Sequence, residues 1–395
     1  MTKVRQQIPI AKPWVGALEL EAVKRPLLSG WLTQGPEVAA FEKEFADYVG
    51  AKYACAVSNC TTALHLALLA AGVQPGDQVI TVSHSFIATA NSIRYCGALP
   101  VFIDIEPNTF NVDPELIEKR INERTRAILC VHQIGMPCDL EKIVAIARRH
   151  HVAVIEDAAC AVGSEILWDA AWEKIGRPRG DVACFSFHPR KLLTTGDGGM
   201  ITTSNPEWDR KFRLWRQHSM SIPDTARHHA KQVVFESYLE AGYNYRMTDI
   251  QAAVGREQLK RLPEMIERRR SLVKRYAELA ADIPGLVLPQ EPAWARSNWQ
   301  SYCVRLPRSC EQRVVMQKML DEGIATKPGI MCAHREPAYQ NQVWSCGEGC
   351  IPAKCIHLTE SEKAQTQCIL LPLFHEITEE DQVRVVDALR TACYR

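Results

Sequence analysis

Between about residue 50 and residue 205, short apolar runs alternate with longer helical stretches. Residues 61–71 read as an apolar helix stopped by Gly72, and Val79, Ile80, Thr81 and Val82 as a strand after the turn at Pro75, Gly76 and Asp77. The pattern then predicts a helix over 90–96, a strand over 100–105, a helix from Asp113, a strand over 127–131, a helix over 139–150 and a strand over 152–155. These strands are continuous apolar runs rather than alternating ones, as expected where helices cover both faces of a mostly parallel sheet. Residues 259–281 predict one long helix with a charged wet face. Beyond it come shorter strands such as 302–306, and helices from Glu311 and Glu379. This predicts a large α/β domain over 1–255, including the N-terminal segment, and a smaller C-terminal domain over 256–395.

Composition narrows the classes. A net charge of +1 over 395 residues offers no electrostatic footprint for nucleic acid or an anionic membrane. No stretch is apolar and long enough to span a bilayer, and residues 1–14 lack the apolar core of a secretory signal. Several of the 15 cysteines, among them Cys55, Cys130, Cys184 and Cys368, sit inside apolar runs, as small buried hydrophobes do in a reducing cytoplasm. The expected location is cytoplasmic.

The richest stretch begins at Cys184, Phe185, Ser186 and Phe187. It continues through His188, Pro189, Arg190 and Lys191 to Gly196, Asp197, Gly198 and Gly199. A strand that ends on a lysine before a glycine-rich turn is a place for a buried amine that forms a Schiff base, or simply for a solvated hairpin lysine. Three companions bear on the choice. Ser58, Asn59, Cys60, Thr61 and Thr62 precede the apolar helix, and they suit either an anion site at its start or an ordinary N-cap. Glu156 and Asp157 close a strand, where a carboxylate serves either a ligand or as the N-cap of the next element. Phe86 comes after another strand and is either a stacking platform or core. A phosphate cradle, a carboxylate, a flat ring and a reactive amine together are what pyridoxal 5′-phosphate requires. For proton relay the lysine must be neutral, and desolvation beside the cofactor is expected to lower its pKa.

These segments resemble the DegT/DnrJ/EryC1/StrS family of sugar aminotransferases, of pyridoxal-phosphate fold type I. The likeness runs from Gly30, Trp31, Leu32, Thr33, Gln34, Gly35 and Pro36 to the C-terminal domain. It is densest at 58–66, 155–163, 185–199 and 242–249. The resemblance implies an α/β fold with a mostly parallel, seven-stranded-type sheet and a smaller α+β domain. It implies Lys191 as the Schiff-base lysine and Asp157 as partner of the pyridine nitrogen. Ser186 and the Cys60–Thr61 backbone would hold the phosphate, and Phe86 would stack on the ring. In a homodimer with shared sites, Asn244 would reach the phosphate from the neighbouring subunit, with Arg246 nearby. Thr33 and the segment 333–339, His334 above all, match places where relatives touch the sugar. Related enzymes that dehydrate carry histidine at the lysine position, so Lys191 speaks for amination. The implied reaction is a ping-pong transfer from an amino acid, most often L-glutamate in the family, to a nucleotide-linked keto-sugar. A non-nucleotide ketone such as a keto-cyclitol, or cofactor binding without turnover, are the alternatives.

The chain also departs from the family. Cys160 stands where many relatives have histidine or glutamine, Cys60 where they have alanine or glycine, and Ser219 where they have glycine. Arg213, Arg216, His218, Arg227, His228 and His229 form a basic stretch suited either to a diphosphate or to a solvated loop. Cys346, Cys350, Cys355 and His357 lack the paired short gaps of a zinc site, and no metal is expected. His65 is expected to be a satisfied buried histidine, and His188 to fix the lysine loop.

Overall fold

The computed structural model describes residues 7–222, 227–228, 230–341, 344–347 and 355–394. Its main sheet has seven strands in the order β1 (Tyr53–Val57), β9 (Gly199–Thr203), β8 (Val182–Ser186), β5 (Ala153–Asp157), β4 (Thr125–Val131), β2 (Gln78–Val82) and β3 (Leu99–Ile103). The pairs β2–β3, β2–β4, β4–β5 and β5–β8 are parallel, and β9 runs antiparallel to both of its neighbours. The predicted mostly parallel α/β sheet is what forms. The expected helices lie at Cys60–Ala70, Ile87–Tyr95 and Leu140–His150; the one expected from Asp113 is a single turn, Pro114–Ile117.

A three-stranded antiparallel sheet, β11 (Tyr302–Arg305), β13 (Cys368–Leu371) and β12 (Lys327–Pro328), carries the smaller α+β region. It packs with helices Gln312–Asp321 and Glu379–Tyr394 around a second apolar core that includes Met319, Val304, Ile369 and Leu389. Two details shift the expected division. The long helix is Asp249–Ala280, so a cut at 255/256 falls inside it. Ile8 belongs to the second core and pairs with Ile324, which ties the residues around it to the smaller region, while Ile10 already packs against the main core. The helix starts early because Thr248 caps it, its hydroxyl accepting from the Gln251 N–H at 3.2 Å.

Aromatic packing sets the strand that leads to Lys191. Phe45 meets Phe185 at 5.0 Å and Phe41 meets Phe187 at 5.4 Å between ring centroids, fastening helix Pro36–Val49 to β8 and the turn after it. All four rings are fully buried. Each such ring removed from water stabilises the fold by roughly 1.5–3 kcal/mol.

Candidate active site

The site lies where parallel strands end. In register, Asp157 at the end of β5 pairs with Val131 of β4 and with Cys184 of β8, and Ser186 ends β8 opposite Gly199. Gly199 is in turn opposite Val57, so the helix start at Asn59 and Cys60 stands on the same edge. The approach there is close: a Cβ on Gly199 would lie 2.5 Å from the carbonyl carbon of Asn59 and 2.8 Å from the Cys60 nitrogen. Only glycine lets the two backbones meet.

Asn59 is indeed an N-cap, its Oδ1 accepting from the Thr62 N–H at 2.9 Å. Capping takes one donor of the first turn; the amides of Cys60 and Thr61, ahead of it, are the orphan donors that a helix start offers an anion. The Ser58 and Thr62 hydroxyls lie 3.2 Å apart beside them. Ser186 Oγ, half-buried, accepts from the His188 N–H at 3.4 Å.

Asp157 is buried, with Oδ2 accepting from the Thr89 hydroxyl at 2.8 Å and Oδ1 from the Ala159 N–H at 3.2 Å. Burial pushes its pKa up against those two hydrogen bonds and against the nearby Lys191. A positive N–H facing it would restore the charged form. Thr89 is invisible as a site residue in the sequence: nothing local links it to a carboxylate 68 positions away.

Lys191 Nζ donates to Cys160 Sγ at 3.0 Å. His188 fixes the turn as expected, its carbonyl accepting from the Lys191 N–H at 2.8 Å and its Nδ1 from the Arg190 N–H at 3.2 Å. Burial alone would lower the pKa of the amine, but Cys160, then Cys60 and Asp157, outweigh it and raise it. In the cofactor-free chain, desolvation thus acts in the expected direction, and the neighbouring sulfur is what outweighs it. Phe86 is not core. It stands 64% exposed just before helix Ile87–Tyr95, whose third residue is Thr89.

Other expected residues fall in two groups. Thr33 is exposed and bridged to Thr248, and Arg246 Nε donates to the exposed Asn244 Oδ1 at 3.1 Å. The adjoining Tyr245 carbonyl accepts from the Ser58 N–H at 2.8 Å, so this segment flanks the helix start. His334 is different. It has no exposed surface, its Nδ1 lies 2.6 Å from Ser83 Oγ and its Nε2 3.1 Å from Glu362 Oε1. It fastens the segment after β12 to the end of β2 and presents nothing to a sugar, which corrects its assignment as a substrate contact.

The basic stretch is largely structural too. Arg213 donates to Glu42 at 2.7 Å, Asp209 at 2.8 Å and the Ala54 carbonyl at 2.7 Å, while Arg216 donates to Glu42 and to the Ala56 carbonyl. Arg227 pairs with Glu236 at 2.9 Å. His65 is satisfied, with Nδ1 3.1 Å from the Tyr245 hydroxyl. His229 and Cys350 lie outside the described residues. Among the described residues no three histidine, cysteine or acidic side chains gather for a metal, and no helix is long and apolar enough to cross a membrane.

This edge presents an amine across from a buried carboxylate, with free helix-start amides to one side and an exposed ring to the other. That donor set suits pyridoxal phosphate: an anion for the amides, a basic ring nitrogen for Asp157, an aldehyde for the amine. The class is a pyridoxal-phosphate-dependent aminotransferase. The chain belongs to the DegT/DnrJ/EryC1/StrS aminotransferase family, whose sequence model matches residues 14–390. It is 38% identical over 387 residues to GDP-perosamine synthase of Caulobacter vibrioides, covering 97% of both chains. It is 37% identical over 388 residues to the spore coat polysaccharide biosynthesis protein SpsC of Bacillus subtilis (strain 168), covering 97% of this chain and 96% of that one. Among solved structures it is similar to DesV of S. venezuelae in complex with a ketimine intermediate, with a TM-score of 0.85, 31% identity and 99% of both chains covered.

Proposed function

We propose that the protein moves an amino group from L-glutamate to the carbonyl of a nucleotide-linked keto-sugar in two half-reactions. The reading is carried by one observation: Lys191 Nζ, held 3.0 Å from Cys160, lies within the electrostatic reach of the buried Asp157 at the end of the adjacent strand. Bound pyridoxal phosphate would supply an electron sink, so that a substrate carbon can release a proton and nitrogen can change carriers. The chain's own residues do the rest. Asp157 would keep the ring nitrogen protonated, the Cys60 and Thr61 amides with Ser186 would hold the phosphate, and Phe86 would cover one face of the ring. Lys191 would hold the cofactor, then take the proton released by the amino-acid carbon in the first half and deliver one to the sugar carbon in the second.

A sugar acceptor is supported by two relatives, one named for GDP-perosamine and one for spore coat polysaccharide. A homodimer is supported by large apolar side chains left in water by the single chain, including Leu28 at 86%, Val233 at 85% and Phe235 at 88% exposure. In that dimer, Asn244 and Arg246 of a second copy would complete the phosphate and substrate contacts, and Thr33 would face the sugar. The work would be done in the cytoplasm. The test is a two-stage assay by mass spectrometry. Holoenzyme treated with L-glutamate should release 2-oxoglutarate, and the desalted amine form should then aminate a nucleotide keto-sugar from a panel. Amination of free keto-cyclitols alone would sink the sugar-nucleotide reading, and failure of glutamate to alter the cofactor absorbance would sink turnover altogether.

A further inference from the structure

One segment of the smaller region reaches the pocket. Between β10 (Ala295–Arg296) and β11, the chain passes through Ser297, Asn298, Trp299 and Gln300. The buried Gln300 side chain is bonded on both sides of the lysine: its Oε1 accepts from the Leu192 N–H at 3.0 Å, and its Nε2 donates to the Arg190 carbonyl at 2.7 Å. Asn298, fully buried, does the same for the Cys160 loop, donating to the carbonyls of Cys160 at 2.8 Å and Val162 at 2.9 Å. Its Oδ1 accepts from the Gln300 N–H at 2.9 Å, so the two amides act as one unit. That unit sits tight against the large domain, since a Cβ on Gly135 (φ +100°) would come 2.1 Å from Asn298 Oδ1.

The segment is braced from behind. Arg269, buried in the long helix, donates to the carbonyls of Trp299 and Gln300 at 2.9 and 3.0 Å. Trp299 is held at φ +52°, in the left-handed region that bulky residues avoid. Strain of this kind persists where the surroundings over-determine the backbone, and it gathers at functional sites.

We propose that Gln300, backed by Asn298, is a positioning residue for the amino-transfer reaction. It sets the backbone on either side of Lys191, and with it the placement of Nζ against Cys160. A lysine side chain is long and rotatable, so its amine is only as well placed as the peptide that carries it. Misplacement of a reacting atom by about 1 Å can cost on the order of a hundredfold in rate. The inference rests on the reading of Lys191 as the residue that holds the cofactor.

The test uses the holoenzyme, as wild type, Q300L and Q300E. Leucine removes both hydrogen bonds at similar size; glutamate keeps the acceptor for Leu192 and loses the donor to Arg190. Two quantities are read: the pH titration of the absorbance of cofactor joined to Lys191, and kcat and KM for the glutamate half-reaction. Cys160, Cys60, Asp157 and His188 act on that amine and are unaltered in Q300L; Q300E adds a carboxyl of its own, so only its kcat and KM are read. In Q300L the titration midpoint should move and kcat should fall about tenfold or more, with KM within about threefold of wild type. In Q300E, which loses the bond to Arg190, kcat should fall as well. A wild-type titration and kcat in Q300L, whatever its melting temperature, would overturn the inference. Should Q300L not fold, a wild-type kcat in Q300E would overturn it. Absence of the Lys191 absorbance in the wild type would instead bring down the functional reading, and this inference with it.

Discussion

Two groups of basic side chains stand out in the sequence, and the fold treats them in opposite ways. Arg213 and Arg216 donate to Glu42, Asp209 and the carbonyls of Ala54 and Ala56, with Arg216 Nε buried beside them without a partner. Arg216 and Glu42 are both nearly without exposure, at 6% and 8% of their side chains. Lys191 has a sulfur 3.0 Å away as its hydrogen-bond partner, beside a carboxylate on a neighbouring strand. The first arrangement is closed: each carboxylate answers a guanidinium, and the result ties helix Pro206–Trp215 to helix Pro36–Val49 and β1. The second is open on one side. A cation whose charge is already answered by a carboxylate of its own chain supports structure, while one left with capacity at a strand end can act on a ligand.

Substitutions in the two groups should therefore part company, one in chemistry and the other in stability. Lys191→Ala has the largest expected effect: turnover falls by on the order of 10⁴-fold or more, as the nucleophile and proton carrier vanish together. Borohydride followed by mass spectrometry should find no cofactor fixed to the chain, and thermal unfolding should shift little. Glu42→Ala should do the reverse. It strands a buried guanidinium, so unfolding in denaturant should show a loss of about 3–5 kcal/mol, while turnover per folded molecule stays near wild type. The pair also has a pH signature. Burial opposes ionisation of Glu42, but Arg216 and Arg213 prevail and hold its pKa below the ordinary carboxylate value. Its contribution is thus present above that ordinary value and lost as the pH falls through the lowered one, so Glu42→Gln should flatten the acid side of the stability profile.

The smallest effect sharpens the comparison from within the pocket. Cys160 is the largest influence raising the Lys191 pKa, against burial. In Cys160→Ala burial should dominate, and the amine of cofactor-free protein should become reactive towards an acylating reagent at lower pH. Turnover should change only a few-fold. An unchanged pH profile of labelling would show that the sulfur does not govern the amine.

Legibility in the sequence tracks the range of the interactions. The strand–helix rhythm, the helix start at Cys60 and the strand-end placement of Asp157 and Ser186 are local, and each is readable. Strand β1 escapes notice because it is only five residues long, although Gly50 and Asn59 flank it, and the hairpin β6 (Glu165–Trp168) and β7 (Ala171–Lys174) because its strands are shorter still. Pro263 lies within the long helix without ending it, although a proline predicts a break. Pairing across distance is not readable. Thr89 with Asp157, Gln300 with the lysine turn and His334 with Ser83 join residues 68, 110 and 251 positions apart, and no periodicity encodes such meetings. The direction of the Lys191 pKa eludes the sequence for the same reason, since Cys160 shows there as a departure from the family but not as a neighbour of the amine.

The helix Asp249–Ala280 has a practical consequence for exchanging parts between relatives. Its 32 residues span about 48 Å as one rod, from a start where Asp249 accepts the Gly35 and Glu37 amides to an end beneath the second core. Chimaeras that graft a foreign C-terminal third at residue 255 would splice this rod in mid-span, whereas junctions beyond residue 281 would keep it whole. The graft would also have to bring its matching N-terminal segment, because Ile8 is built into the far end of the molecule.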